Sequence, residues 1–165
     1  ERIALSEQTA YIMTTLMEGV VLRGTGTGAK EIGRPAAGKT GTTNDCTDAW
    51  FIGYTPQLAA TVWVGYDDMR SLGKRQTGGR VAVPVWTDFM KEALAGEPVV
   101  KFPVPTGIEF VTVEASTGLL APPGSDNVIV QAFREGTAPE RYYDPTESDR
   151  LTEDIMHIFP TDLPL

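Results

Sequence analysis

Apolar and polar positions alternate in distinct rhythms along this 165-residue chain, and each rhythm predicts an element. Over residues 6–22, Ile12, Met13, Leu16, Met17, Val20 and Val21 recur every three to four positions, the period that lines one face of a helix. Ser6 suits the N-cap, where a hydroxyl accepts from a first-turn amide. The helix is expected to stop at Arg23-Gly24, with glycine supplying a left-handed turn. Gly24-Thr25-Gly26-Thr27-Gly28 reads as a flexible connector, because it follows a helix and an isolated glycine pattern says little about phosphate binding. Residues 36–43 are small and β-branched and suit a strand that another backbone approaches closely. Two apolar runs follow, 50–54 and 58–66, with Thr55-Pro56-Gln57 as the turn between them. Both runs are nearly all apolar, so helices are expected over both of their faces. A Gly/Lys/Arg-rich loop spans 69–80. Val85, Trp86, Phe89, Met90, Ala93 and Leu94 then mark a second helix, ended by Gly96.

The character changes at Glu97-Pro98. Pro98, Pro103 and Pro105 suggest an extended linker. Residues 110–114 and 119–121 flank Ala115-Ser116-Thr117-Gly118, a second hairpin signal, and 127–133 read as a further strand. From Pro139 the chain is charged and weakly periodic, which suggests loose order. The order helix, three strands, helix, small β appendage is α+β rather than alternating α/β. The division expected is 1–96, 97–140 as a β-rich appendage, and 141–165 as a loosely ordered tail.

Composition narrows the function. Lys and Arg number 14 against 22 Asp and Glu, a net charge of −8. Such a chain is poorly suited to nucleic acid or anionic membranes, which attract positive surfaces. One cysteine, Cys46, excludes an internal disulfide and a cysteine-based zinc site. One histidine, His157, excludes chemistry needing two. No run of 18 apolar residues suggests a membrane span. Asp45, Asp48, Asp67 and Asp68 read as solvated loop and strand-end acids, so no metal and no cofactor is expected. Cys46 reads as an incidental small residue, His157 as a surface residue, and Trp50, Trp63 and Trp86 as core.

Lys39 admits two readings. Residues 33–40, Gly-Arg-Pro-Ala-Ala-Gly-Lys-Thr, fit the phosphate loop of NTPases, and the run 62–67 imitates its acid-ended strand. That mechanism needs a buried strand before the loop and a helix after it, whose amides hold the phosphates. Residues 29–32 are no buried strand, and Gly41-Thr42-Thr43 starts a helix poorly. The other reading is Lys39-Thr40-Gly41-Thr42 on a strand. Lys-Thr-Gly is a signature of penicillin-recognising serine enzymes. Its ammonium attracts a terminal carboxylate, its hydroxyls bind one, and its glycine lets an extended peptide lie along the strand edge.

The surroundings favour the second reading. Arg23-Gly-Thr-Gly, the run 33–45, Asp48-Ala-Trp-Phe-Ile-Gly-Tyr-Thr-Pro, Val62-Trp-Val-Gly-Tyr-Asp-Asp and Thr77-Gly-Gly-Arg-Val-Ala-Val-Pro-Val-Trp-Thr-Asp-Phe-Met follow in order. Together they resemble the C-terminal part of the transpeptidase domain of class A bifunctional penicillin-binding proteins. The resemblance is strong over about 5–95, fair over 96–140 and negligible beyond. It implies a penicillin-binding, serine β-lactamase-like fold: an antiparallel sheet of five strands between helical layers, the Lys39 strand at the edge beside the active site. Two strands would come from sequence preceding Glu1. The resemblance also implies a peptidoglycan D,D-transpeptidase working through an acyl-serine. Lys39 would be the electrostatic and proton-network lysine, and Thr40 and Thr42 would bind the substrate carboxylate. Gly41 would grant access, and the Thr42 N–H would donate to an oxyanion.

The family's other signatures, Ser-x-x-Lys with the nucleophile and Ser-x-Asn, do not occur before Lys39. Each has one downstream match, Ser71-Leu72-Gly73-Lys74 and Ser125-Asp126-Asn127, in loop contexts that suit neither role. The chain is therefore expected to carry half a site and to be inactive alone. Its implied partners are the upstream part of the same protein, stem peptides ending in D-Ala-D-Ala, and β-lactams. Its implied location is the periplasmic face of the bacterial inner membrane, anchored by an upstream helix. The alternatives are a non-catalytic interaction module of the same fold and the phosphate-loop NTPase.

Overall fold

The computed structural model describes residues 3–145, so His157 and most of the expected tail lie outside the described residues. Helix α1 runs Glu7–Arg23, and Ser6 caps it through its side chain, which accepts from the Thr9 N–H. Its end differs from expectation. Gly24 has φ −105°, outside the left-handed region. Glycine is needed there for space, because a Cβ would lie 3.0 Å from both the Cα and the carbonyl oxygen of Val20. The next residues are no free connector either. The N–H groups of Gly24 and Gly26 both donate to Val20 O, at 3.1 Å each, and a 3₁₀ helix follows over Thr27–Ile32.

Strands β1 (Ala37–Thr42), β2 (Asp48–Tyr54) and β3 (Ala59–Gly65) form an antiparallel sheet in that order. Thr40, Phe51 and Val62 are register partners across the three strands, as are Lys39, Ile52 and Thr61. Successive side chains alternate between faces, so these two rows lie on opposite sides. The Phe51 face holds the core. After a π turn over Gly78–Ala82, helix α2 (Val83–Ala93) packs against it. Trp86 meets Phe51 edge to face at 5.1 Å and donates its indole N–H to Ala60 O at 3.1 Å. Gly38 and Gly53 leave the room these rings occupy. A Cβ on Gly38 would lie 2.6 Å from Phe51 Cζ, and one on Gly53 would lie 2.8 Å from Trp86 Cζ2. Val83, Trp86 and Met90 form the buried apolar stripe of α2, continued by Leu94 just past its end, whereas Val85 and Phe89 are exposed.

The opposite face corrects the expectation of two covered faces. Trp50, Ile52 and Trp63 are 40%, 54% and 44% exposed, and on α1 Met13 and Leu16 are exposed as well. Trp50 and Trp63 are therefore not core residues among the described residues, although Trp86 is fully buried.

The chain divides into two compact units at Ile108/Glu109, not near residue 96. The proline-rich stretch is tied to the first unit. Gln8 donates to Thr106 O at 2.9 Å, Phe102 meets Tyr54 edge to face at 5.6 Å, and Arg34 and Gln57 both donate to Pro98 O. Arg34 also reaches the carbonyls of Leu94 and Glu97, and so holds the end of α2.

The second unit contains β5 (Val128–Arg134) paired with β4 (Ile108–Glu114). Gly118, at φ 73°, closes the turn expected at 115–118, and Val113 bridges Leu120 antiparallel. Residues 141–143 are not loose, because the Leu120 N–H donates to Arg141 O and the Tyr143 N–H donates to Leu120 O. Buried Glu114 organises the turn. Its carboxylate accepts from the Ser116 and Thr117 hydroxyls and N–H groups and from the Asn127 amide. The Ser116 hydroxyl leads these donors in holding the carboxyl down at about 2, against burial, which pushes it up from an ordinary 4.5. A carboxyl depressed by folding stabilises the fold above its unfolded value and loses that effect as pH falls through its folded one. The stability Glu114 confers is thus expected to be complete above about 4.5 and to vanish towards 2. Thermal unfolding across that window checks this: Glu114→Gln should melt lower than wild type above it and converge with wild type at its acid end.

Candidate active site

Lys39, Thr40, Gly41 and Thr42 all lie on β1, which is an edge of the three-stranded sheet. The direction of their backbone groups follows from one bond. The Thr43 N–H donates to Asp48 O at 3.2 Å, just beyond the end of the β1–β2 ladder. In an antiparallel ladder, hydrogen-bonded and non-hydrogen-bonded pairs alternate. Gly41 and Lys39 therefore exchange bonds with β2, while the N–H and C=O groups of Thr42 and Thr40 point out from the free edge. This leaves the Thr42 amide available as an oxyanion donor, and it opens the strand to an added peptide chain.

The side chains divide between the faces. Lys39 is exposed on the open side, with Trp50, Ile52 and Trp63, and its Nζ donates to Thr40 O at 2.7 Å. Gly41 lies across from Trp50 on the same side, and a Cβ there would sit 3.3 Å from Trp50 Cβ. Thr40 and Thr42 project to the Phe51 face. The Thr40 and Thr25 hydroxyls share a hydrogen bond at 2.6 Å, and Thr42 Oγ1 accepts from the Gly78 N–H at 3.0 Å. Thr25 and Gly78 were not legible as site neighbours. They are 15 and 36 residues from their partners, and only the folded sheet brings them together.

The phosphate-loop alternative does not survive this geometry. Gly38, Lys39 and Thr40 are strand residues paired with β2, a 3₁₀ helix precedes them, and no helix follows. A phosphate loop needs free amides at a helix N-terminus. The two serine decoys are occupied in loops. The Ser71 hydroxyl donates to Asp45 O at 2.8 Å and accepts from the Gly73 N–H, and the Ser125 hydroxyl donates to Pro122 O at 2.8 Å. Neither stands at a helix N-terminus one turn before a lysine. Cys46 is half-buried in the β1–β2 turn, where its backbone bonds Thr43 and Leu72. Asp48 accepts from the Trp63 indole at 2.8 Å, and Asp68 pairs with Arg70 at 3.5 Å, so both have local structural partners.

The model of the penicillin binding protein transpeptidase domain matches residues 1–91, more than half of the chain. This chain belongs to that family. The penicillin-binding protein 1A of Rickettsia bellii is 44% identical over 75% of this chain. That of Pseudomonas aeruginosa is 41% identical over 84%. These matches cover 15% and 17% of the two relatives, so the chain spans about a sixth of their length. A crystal structure of penicillin-binding protein 1A from Haemophilus influenzae superposes with a TM-score of 0.75 at 32% identity, over 85% of this chain and 22% of that one. The α+β architecture is thus that of part of a penicillin-binding protein transpeptidase domain. Among the described residues, no helix is long and apolar enough to cross a membrane.

Proposed function

We propose that this chain supplies the Lys-Thr-Gly side of a peptidoglycan D,D-transpeptidase site. The serine nucleophile would come from sequence outside these 165 residues. One observation carries the proposal: Lys39, Thr40 and Thr42 stand together on a free sheet edge, with the Thr40 and Thr42 backbone turned outward.

The serine Oγ would attack the carbonyl carbon of the penultimate D-Ala of a stem peptide and give up its proton to a neighbouring base. The carbonyl oxygen becomes an oxyanion, and the Thr42 N–H is one donor to it. Loss of such a donor typically costs about 10²–10³ in rate. The C–N bond then breaks, the terminal D-Ala leaves with a proton, and an acyl-serine remains. The amine of a neighbouring stem attacks that ester, forms the cross-link and returns the serine. Thr40 and Thr42 would hold the terminal carboxylate of the donor peptide. The Lys39 ammonium would attract the same carboxylate and polarise the hydroxyls that relay protons. β-Lactams would enter the same edge and stop at the acyl-serine. No step needs a metal or cofactor. The open face of Trp50, Ile52 and Trp63 would seat the nucleophile-bearing part of the protein, on the side from which Lys39 emerges. The whole protein would work at the periplasmic face of the inner membrane, anchored through a segment outside this chain.

Acylation by benzylpenicillin tests the proposal. The complete protein is expected to gain one penicilloyl group per chain, and these 165 residues alone are expected to gain none. A complete protein that stays unlabelled would instead favour a non-catalytic interaction module of the same fold.

A further inference from the structure

We infer that Thr25 is a positioning residue for Thr40, fixing the direction in which the Thr40 hydroxyl offers its proton. The inference rests on the transpeptidase reading of β1. A hydroxyl has one proton to donate and two lone pairs with which to accept. A threonine that is to bind a carboxylate must spend its proton on the ligand and satisfy itself from behind as an acceptor. Thr42 meets that condition through the backbone, because the Gly78 N–H can only donate, and it points at Thr42 Oγ1 from 3.0 Å. Among the described residues, Thr40 has no backbone donor of this kind. Its hydroxyl partner is Thr25 Oγ1 at 2.6 Å. With Thr25 as the donor, Thr40 is wired as Thr42 is: lone pair filled from behind, proton free for the substrate.

Thr25 is built to hold this position. The amides on either side of it, Gly24 and Gly26, both donate to Val20 O at the end of α1. Its own carbonyl packs so closely on Gly79 that a Cβ there would overlap it, and the same Cβ would lie 3.9 Å from Thr40 Cγ2. The Thr25 turn, β1 and the Gly78-Gly79 turn thus meet behind the two threonine hydroxyls. Both Thr25 and Thr40 remain reachable from solvent, as groups serving an incoming peptide must be.

The test is a double-mutant cycle on benzylpenicillin acylation of the complete protein. Thr25→Val keeps the shape and removes the hydroxyl. It is expected to slow acylation about three- to tenfold, the rate equivalent of one hydrogen bond. Thr25→Ser is expected to restore the rate. In a Thr40→Ala background, Thr25→Val is expected to cost nothing more, since it acts only through Thr40. Equal losses from Thr25→Val in both backgrounds would overturn the inference, as would a Thr25→Val protein that acylates at the wild-type rate. A wild-type protein that takes no label would bring down the parent reading instead, which distinguishes the two failures.

Discussion

Lys39→Ala in the complete protein is expected to lower the rate of penicillin acylation by about 10²–10⁴, the range for losing a positioned proton-transfer group. The reason lies in where Lys39 stands. It emerges on the open side of the sheet at the edge strand, and its Nζ lies 2.7 Å from the outward-turned carbonyl of Thr40. Among the described residues no carboxylate forms an ion pair with it, and its bond to that carbonyl leaves further N–H groups for a substrate or a serine hydroxyl. Lys39→Arg keeps the charge but replaces a compact ammonium with a planar fork, so partial recovery of binding without recovery of rate is expected. The measurement is the second-order rate of acylation, followed by mass. An alanine variant within threefold of wild type would make Lys39 an ordinary solvated edge lysine, of the kind that protects sheet edges from unwanted pairing.

The second large effect is structural and comes from Gly78. This buried residue begins the π turn that lies against β1 and β2. A Cβ at Gly78 would overlap Trp50 O and lie 2.6 Å from Gly41 O, both of them backbone atoms that cannot swing aside. Gly78→Ala must therefore lift the turn from the sheet and break the bond to Thr42 Oγ1 at 3.0 Å. Overpacking a well-filled site costs about 1–3 kcal/mol, and rigid surroundings put this site at the upper end. A fall of several degrees in Tm is expected, together with slower acylation. Gly78→Ala that melts with wild type would show that the turn does not clamp the Lys-Thr-Gly strand.

These two effects differ in how far the sequence foreshadows them. Lys39 is legible because a short signature sits among β-branched residues that suit a strand, and because the runs around it resemble one family in order. Ser6 is legible because an N-cap needs only its own first turn, and the Thr55-Pro56-Gln57 turn because it is local. Gly78 and Thr25 act across long sequence separations, through the register of a sheet, which no local pattern encodes. The glycines at 24–28 look like slack, yet the backbone there is tied to Val20, and Gly24 is present for space rather than for handedness. Prolines 98–105 look like a linker, yet carbonyls at 98 and 106 accept side-chain donors from the first unit. The two-faced burial expected for β2 and β3 is half right. Phe51 and its neighbours are covered by α2, and the Trp50 face is exposed among the described residues. The alternation of strand side chains puts Trp50, Ile52 and Trp63 on that second face, where an all-apolar run cannot say which side is covered.

In the transpeptidase reading, this chain carries one side of an acyl-serine site and the nucleophile lies outside these 165 residues. Mapping the penicilloyl group by peptide mass after benzylpenicillin treatment tests it most directly, with the isolated chain and the complete protein side by side. The expected result is an unmodified isolated chain and, in the complete protein, a single modified serine outside residues 1–165. A stable adduct on Ser71, Ser125 or any other serine of this chain would contradict it.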